Sequence, residues 1–179
     1  MKVFHGIENY SYSTKSILTI GTFDGVHIGH QKIIRSLVSR AKEKKRQANL
    51  LTFFPHPRMI LQKETKIKLI DTQKEKERIL KSLGIDNLIV HPFSKDFSKL
   101  SAREFIRDLL VEKLGISSLY IGYDHRFGKN REATVENLVE FGKIYDFEVI
   151  TIPAQDVSLI TVSSTKIRKA IEDSEFEKV

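Results

Sequence analysis

The chain contains no cysteine, which excludes disulfides and thiolate metal sites outright. No run approaches the roughly 18–20 consecutive apolar residues that a membrane-spanning helix needs. The opening Met1-Lys2-Val3-Phe4-His5-Gly6 lacks the continuous apolar stretch of a signal peptide. Internal repeats and low-complexity segments are missing, as is a Gly-x-x-x-x-Gly-Lys-[Ser/Thr] phosphate loop. The lack of cysteine, of a membrane-length apolar run and of a signal stretch points to a cytoplasmic protein with no membrane partner.

A length of 179 residues, 40% of them apolar, is ordinarily one domain with a real core. Lys and Arg number 30 against 23 acidic residues, a formal net charge of +7. That excess suits polyanionic partners, either nucleic acid or phosphorylated small molecules. The densest basic run, Lys42 to Arg46, closes a predicted helix. There it complements the helix dipole and needs no ligand to explain it.

Short apolar, β-rich runs alternate with longer amphipathic ones. Strands are predicted over Ser16–Ile20, Asn49–Phe54, Asn87–His91, Ser118–Ile121 and Phe147–Ile152. Helices are predicted over His30–Lys45, Thr72–Leu83, Ala102–Leu114 and Val135–Tyr145, with a last one from about Ser164 to Glu172. Ser101 and Glu104 form a capping box ahead of the third helix, and Gly84 and Gly115 mark helix ends. This alternation implies an α/β fold, with right-handed crossovers and a Rossmann-like five-stranded parallel sheet carrying helices on both faces. Continuous runs such as Leu88-Ile89-Val90 fit strands buried on both sides. Ligands of such sheets sit beyond the carboxyl ends of the strands, so the residues following each strand carry the functional information.

After the first predicted strand comes Gly21-Thr22-Phe23-Asp24-Gly25-Val26-His27-Ile28-Gly29-His30. Small residues allow close backbone approach, and a helix starting near Gly29 would aim free N–H groups at a phosphate. His27 and His30 flank that start and are candidates to hold the same anionic oxygens. A metal pair is poorly supported, because Asp24 is a lone nearby carboxylate and no thiol exists. Thr52-Phe53-Phe54-Pro55-His56-Pro57 follows the second strand. Its prolines stiffen the chain and disfavour helix around them. By itself it reads either as a structural turn with packed aromatics or as an apolar wall for a flat ring. Gly122-Tyr123-Asp124-His125-Arg126-Phe127-Gly128-Lys129-Asn130-Arg131 follows the fourth strand. There Arg126 or Arg131 could make bidentate contacts to phosphate. Val162-Ser163-Ser164-Thr165-Lys166-Ile167-Arg168 opens the last helix; a cap explains one of its hydroxyls but not three followed by Lys and Arg.

His27-Ile28-Gly29-His30 resembles the HIGH-type signature of the nucleotidyltransferase superfamily, shared with class I aminoacyl-tRNA synthetases. The whole ten-residue string resembles, more narrowly, the FMN adenylyltransferase part of bacterial bifunctional riboflavin kinase/FAD synthetases. The Phe-Pro-His-Pro turn, the Gly-Tyr-Asp-His-Arg-Phe-Gly loop and the Ser-Ser-Thr-x-x-Arg helix start are similar to further motifs of that family. The likeness runs from about Ser16 to Glu172. Departures are His125 where the family usually has Phe, and Ala133-Thr134 where Gly-Asp is common.

The resemblance implies transfer of AMP from ATP to the phosphate of FMN, giving FAD and pyrophosphate. His27, His30, Arg168, Ser163 and Ser164 would be the catalytic residues, the last three on the β- and γ-phosphates. Gly21, Phe23, Asp24, Gly29 and Thr165 would complete the ATP site. Pro55, His56 and Pro57 would border FMN from one side, and Tyr123, Asp124, Arg126, Phe127, Gly128 and Arg131 from the other. Mg²⁺ would be held mainly by phosphates, with Asp24 and Asp124 as candidates for metal or ribose contact. Partners would be small molecules and not nucleic acid, with all of residues 1–179 given to adenylyl transfer. The riboflavin kinase barrel that normally follows the last helix would be absent. Another small-molecule adenylyltransferase, a synthetase-related RNA-binding module and a non-catalytic flavin-binding module are the competing readings.

Overall fold

The computed structural model describes residues 1–62, 67–122, 126–129, 132–152, 162–175 and 177. Six strands form one sheet: β1 Lys2–His5, β2 Ser16–Ile20, β3 Ala48–Phe54, β4 Asn87–Pro92, β5 Ile116–Gly122 and β6 Glu148–Ile152. Their spatial order is β1-β4-β3-β2-β5-β6, and every pairing is parallel. From β2 the chain builds outward through β3 and β4, then returns to the other side of β2 for β5 and β6. The reversal leaves a crevice at the carboxyl ends of β2 and β5, the topological switch point where such sheets place ligands.

The expected five strands are present, and the sixth is β1. It has four residues at the sheet edge, with both ends exposed. Such a segment carries too few apolar positions to stand out as a run. Its parallel register on β4, with Val3 beside Leu88, supplies what local pattern does not.

The helices are α1 Ile28–Glu43, α2 Pro57–Leu61, α3 Gln73–Ser82, α4 Ala102–Glu104, α5 Val135–Tyr145 and α6 Ser164–Glu172; α4 runs on into a π-helical segment, Phe105–Lys113. Alternate residues of each strand enter opposite layers of core. Leu18, Leu51, Ile89 and Leu119 pack under the π-helical segment and α5 with Ile106, Leu110 and Leu138. Ile17, Leu50, Leu88 and Tyr120 pack under α1 and α3 with Ile34, Leu37 and Leu80. The sheet is thus covered on both faces, as the alternating pattern implies. No helix among the described residues is long and apolar enough to cross a membrane.

The local signals act where expected. Ser101 and Glu104 close a reciprocal capping box, the Ser101 N–H donating to Glu104 at 2.9 Å; Thr72 and Glu75 form another at α3. Gly115 ends the π-helical segment at φ +57° and Gly84 follows α3 at φ +93°, conformations that favour glycine. Two features depart from expectation. The third predicted helix is wound π over Phe105–Lys113, where Leu114 N–H reaches back to the carbonyl of Leu109. Pro57 begins a short helix instead of preventing one; at the first helical position its missing N–H costs nothing and its fixed φ suits the turn.

Leu50 is fully buried on the inner strand β3. Leu50→Ala should lower unfolding free energy by about 2–5 kcal/mol, the transfer loss plus the cavity left behind. Urea titration followed by circular dichroism measures it. A change below about 1 kcal/mol would mean that the layer collapses around the gap.

Candidate active site

The segment from β2 to α1 makes a compact turn whose backbone is unusual. Phe23, Gly25 and Val26 all have positive φ, at +47°, +80° and +34°. Two of them carry side chains that disfavour that region, so surrounding contacts must hold the turn. Phe23 and Val26 are buried in the layer beneath α1, and a Cβ on Gly21 would come within 3.0 Å of the Phe23 ring. A side chain at Gly21 would therefore press on the inward-folded Phe23 ring.

His27 is the N-cap residue of α1, without a side-chain capping bond. Gly29 is buried in the first turn. The free N–H groups of that turn open onto the crevice end of the sheet. The imidazoles of His27 and His30 stack with centroids 3.7 Å apart and planes 21° from parallel. Phe23 meets His30 edge-on at 5.0 Å. Nδ1 of each histidine is buried with no hydrogen-bond partner. Burial pushes the His30 imidazole down to about 3, with the charges of His27 and Lys76 acting the same way. Burial also lowers His27, against the pull of Asp24. At neutral pH the pair is two uncharged rings, each able to donate one N–H.

Asp24 is fully buried. One carboxylate oxygen accepts from Arg168 Nη2 at 2.6 Å, and the other accepts the N–H of Ile70 at 3.0 Å. Its backbone carbonyl accepts from Ser164 Oγ at 2.8 Å. The first turn of α6 is thereby docked onto the turn that leads into α1. Ser163 is the N-cap of α6, accepting the Lys166 N–H at 3.3 Å, while Thr165 is exposed. Nε of Arg168 is buried without a partner.

The structure therefore joins His27, His30, Gly29, Ser163, Ser164, Thr165 and Arg168 at one end of the sheet, but with divided duties. Asp24 and Phe23, expected to touch ATP, lie beneath the surface and support Arg168 and His30. With its carboxylate occupied, Asp24 is not presented to metal or ribose. Ser163 caps its helix and Ser164 ties that helix to Asp24. Arg168 is held at the crevice by a buried anion.

On the flavin side, His56 is the N-cap of α2, and its Nδ1 accepts the Arg58 N–H at 3.1 Å. Pro55 and Pro57 bracket it, partly buried, beside the half-exposed ring of Phe54. Phe127 is buried, its ring 6.2 Å from Phe105, and anchors its loop to the π-helical segment. Gly128 has φ +75°, and a Cβ there would lie 3.0 Å from the Ala102 nitrogen. Arg126 is exposed. Tyr123, Asp124, His125 and Arg131 lie outside the described residues. The departures at Ala133 and Thr134 have structural uses: Ala133 bridges Phe127 through two backbone hydrogen bonds of 3.2 Å, and Thr134 caps α5, donating its N–H to Asn137 at 3.0 Å.

Sequence reading passed over Asp71 and Lys76. Both are buried, with Nζ 3.8 Å from the carboxylate. They sit at the start of a helix that carries no recognisable motif. Charge at a position of α3 that its hydrophobic pattern turns inward is the one signal that would have found Lys76.

Residues 10–166 match the FAD synthetase family. The chain belongs to that family. It is 36% identical over 99% of its length to a bifunctional riboflavin kinase/FMN adenylyltransferase of Buchnera aphidicola (strain Sg), covering 57% of that protein. It is 35% identical to an FAD synthetase of Listeria monocytogenes, over 93% of this chain and 67% of the relative. With the bifunctional protein of Escherichia coli K12 it shares 32% identity, over 97% of this chain and 56% of the other. The chain thus spans somewhat more than half the length of the bifunctional relatives it matches. A crystal structure described as a macrolide-efflux protein from Streptococcus pneumoniae superposes with a TM-score of 0.82 at 28% identity, over 96% of this chain and 56% of that one.

The histidine environment generates a pH prediction. The folded-state value of His30 lies below that of the unfolded chain, so between the two the unfolded chain binds the proton more readily. The contribution to stability is complete above about pH 6.5, the ordinary histidine value, and is lost as pH falls toward 3. The urea midpoint should drop more between pH 7.5 and 5 in the parent protein than in His30→Asn. Equal drops would place the His30 ring in water.

Proposed function

We propose that this chain transfers AMP from ATP to the phosphate of FMN, forming FAD and pyrophosphate. The observation that carries the reading is the docking of the Ser163–Arg168 helix start against the His27–His30 helix start through buried Asp24, within a chain of the FAD synthetase family.

Adenylyl transfer asks little covalent chemistry of the protein. It asks that two anions be brought into line and their repulsion cancelled. In this reading the FMN phosphate oxygen attacks the α-phosphorus of ATP while the bond to pyrophosphate breaks. The first turn of α1 offers backbone N–H groups to phosphate. His27 and His30, uncharged in the free protein, donate N–H bonds to oxygens on which charge grows as pyrophosphate departs. Arriving phosphates favour proton uptake by the same rings. Arg168, oriented by Asp24, faces the β- and γ-phosphates beside exposed Thr165. Mg²⁺ would supply further neutralisation across the phosphate oxygens. FMN is assigned to the space between Pro55–Pro57 and the loop bearing Arg126. Of the two activities named in the bifunctional relatives, only adenylyl transfer is proposed for these residues.

Incubation with FMN, ATP and Mg²⁺ should yield FAD and pyrophosphate by chromatography, while riboflavin with ATP and Mg²⁺ should yield neither FMN nor FAD. FMN left unchanged, or AMP transferred instead to nicotinamide mononucleotide or phosphopantetheine, would overturn the reading. His27→Ala or His30→Ala should lower kcat by about 10²–10³, as for a lost charge-stabilising donor, with FMN affinity little changed. Turnover within a fewfold of the parent in both variants would remove the histidines from the mechanism.

Arg126→Ala tests the flavin assignment. It should weaken FMN by about 1.5–3 kcal/mol if a charged hydrogen bond is lost, and ATP far less. Calorimetry showing equal losses for the two ligands would place the flavin elsewhere.

A further inference from the structure

The segment Ile70–Lys76 grips the phosphate-binding turn at two points. Ile70 donates its N–H to the Asp24 carboxylate at 3.0 Å. Six residues on, Lys76 Nζ donates to the carbonyl of Thr22 at 3.0 Å. Between the grips lies Asp71, buried with Lys76; their side chains are each 7% exposed.

A lysine buried this deeply loses most of its hydration, at a cost of several kcal/mol unless it is well paired. A fully closed ion pair would lie within hydrogen-bonding distance. This one does not: Nζ stays 3.8 Å from Asp71, the buried Asp71 carboxylate faces the Gly25 backbone and the Asp24 side chain, and the short contact of Lys76 goes to Thr22. The same carbonyl also accepts from Thr52 Oγ1 at 3.2 Å. Two donors thus converge on one peptide oxygen, immediately ahead of Phe23, Gly25 and Val26 with their positive φ. A turn in that conformation keeps its shape only if neighbours over-determine it. Phe23 then sets the ring of His30, and Asp24 sets Arg168 and the start of α6.

We propose that Lys76 is a positioning residue for adenylyl transfer: clamped between Thr22 and Asp71, its ammonium holds the Thr22–Val26 turn so that His30 and Arg168 stay set for phosphate. It touches no substrate. The proposal rests on the adenylyl-transfer reading for its kinetic consequence, but the clamp is a property of the turn itself. Burial pulls Lys76 and Asp71 each toward the neutral form, while attraction to Asp71 and Asp24 holds the proton on Lys76. The ammonium is also among the charges that keep His30 unprotonated.

The test separates positioning from plain stability. Lys76→Met alone leaves Asp71 buried and unpaired, so it should be unstable. The double variant Asp71→Asn/Lys76→Met removes both charges and should recover most of the melting temperature. If Lys76 positions the turn, the double variant stays about 10- to 100-fold below the parent in kcat, as expected when reacting groups are misplaced, with KM for FMN within about twofold. Its amide hydrogens over residues 22–26 should exchange at least about tenfold faster than in the parent, while those of β3 and β4 should not. Parent-like kcat together with parent-like exchange in the turn would overturn the proposal. The exchange readout holds whichever acceptor takes the AMP, and the parent's own FAD assay judges the adenylyl-transfer reading separately. If the double variant does not fold, the absence of native cysteine permits Lys76→Cys, aminoethylated while unfolded and then refolded. The alkylated protein should regain turnover per folded molecule and slow exchange in the turn, which carboxamidomethylation should not restore. Full turnover of folded Lys76→Cys before alkylation would equally refute the clamp.

Discussion

One buried carboxylate organises the functional end of this molecule. Asp24 accepts from Arg168 and from the backbone of Ile70, and its own carbonyl takes the hydroxyl of Ser164. These bonds join a turn near the start of the chain to the segment ahead of α3, 46 residues later, and to α6, 144 residues later. Burying the Asp24–Arg168 pair gives up hydration on both partners, and replacing such pairs by apolar groups is often harmless to stability. What an apolar contact would not supply is direction. A guanidinium locked at 2.6 Å on one nitrogen leaves the rest of its fork fixed in space, which suits recognition of phosphate oxygens.

The histidines show a related use of burial. Stacked 3.7 Å apart, they cannot easily both be charged, and the field of Lys76 adds to that resistance. Two neutral donors make a modest ground-state ligand for ATP compared with two fixed cations. Their value grows as negative charge appears on the departing phosphate, because the rings become more basic as the anion develops. In the proposed reaction a site of this kind would bind the transition state better than the substrate, the condition for catalysis as opposed to mere retention.

Much of this was legible in the sequence. The alternation of apolar runs located five of the six strands, and the residues following them marked the candidate site, since ligands gather at the carboxyl ends of parallel strands. Edge strand β1 was missed because four residues with exposed ends carry almost no periodic signal. Helix α2 was missed because prolines read as breakers, although Pro57 stands at the one helical position where it is welcome. Within the candidate site, the letters of the motifs did not separate ligand contacts from supporting roles. Phe23 and Phe127 point inward, Ser163 caps a helix and His56 caps another. Lys76 and Asp71 belong to no motif at all, and only three-dimensional packing brings them under the turn.

That division of labour explains why the motifs are long. A phosphate site made only of ligand contacts would need a few donors and little else. Here the donors sit on a turn with three consecutive-region residues at positive φ, a shape the chain would not keep unaided. Gly21 admits the Phe23 ring, Phe23 braces His30, Asp24 fixes Arg168, and Ser164 draws in the helix that carries it. Since the proposed adenylyl transfer would gain its rate chiefly from placement and fixed charge, a residue that never meets ATP but sets the angle of one that does would be as tightly specified as the ligand itself. The ten-residue string from Gly21 to His30 is better read as a folded mount than as a row of contacts.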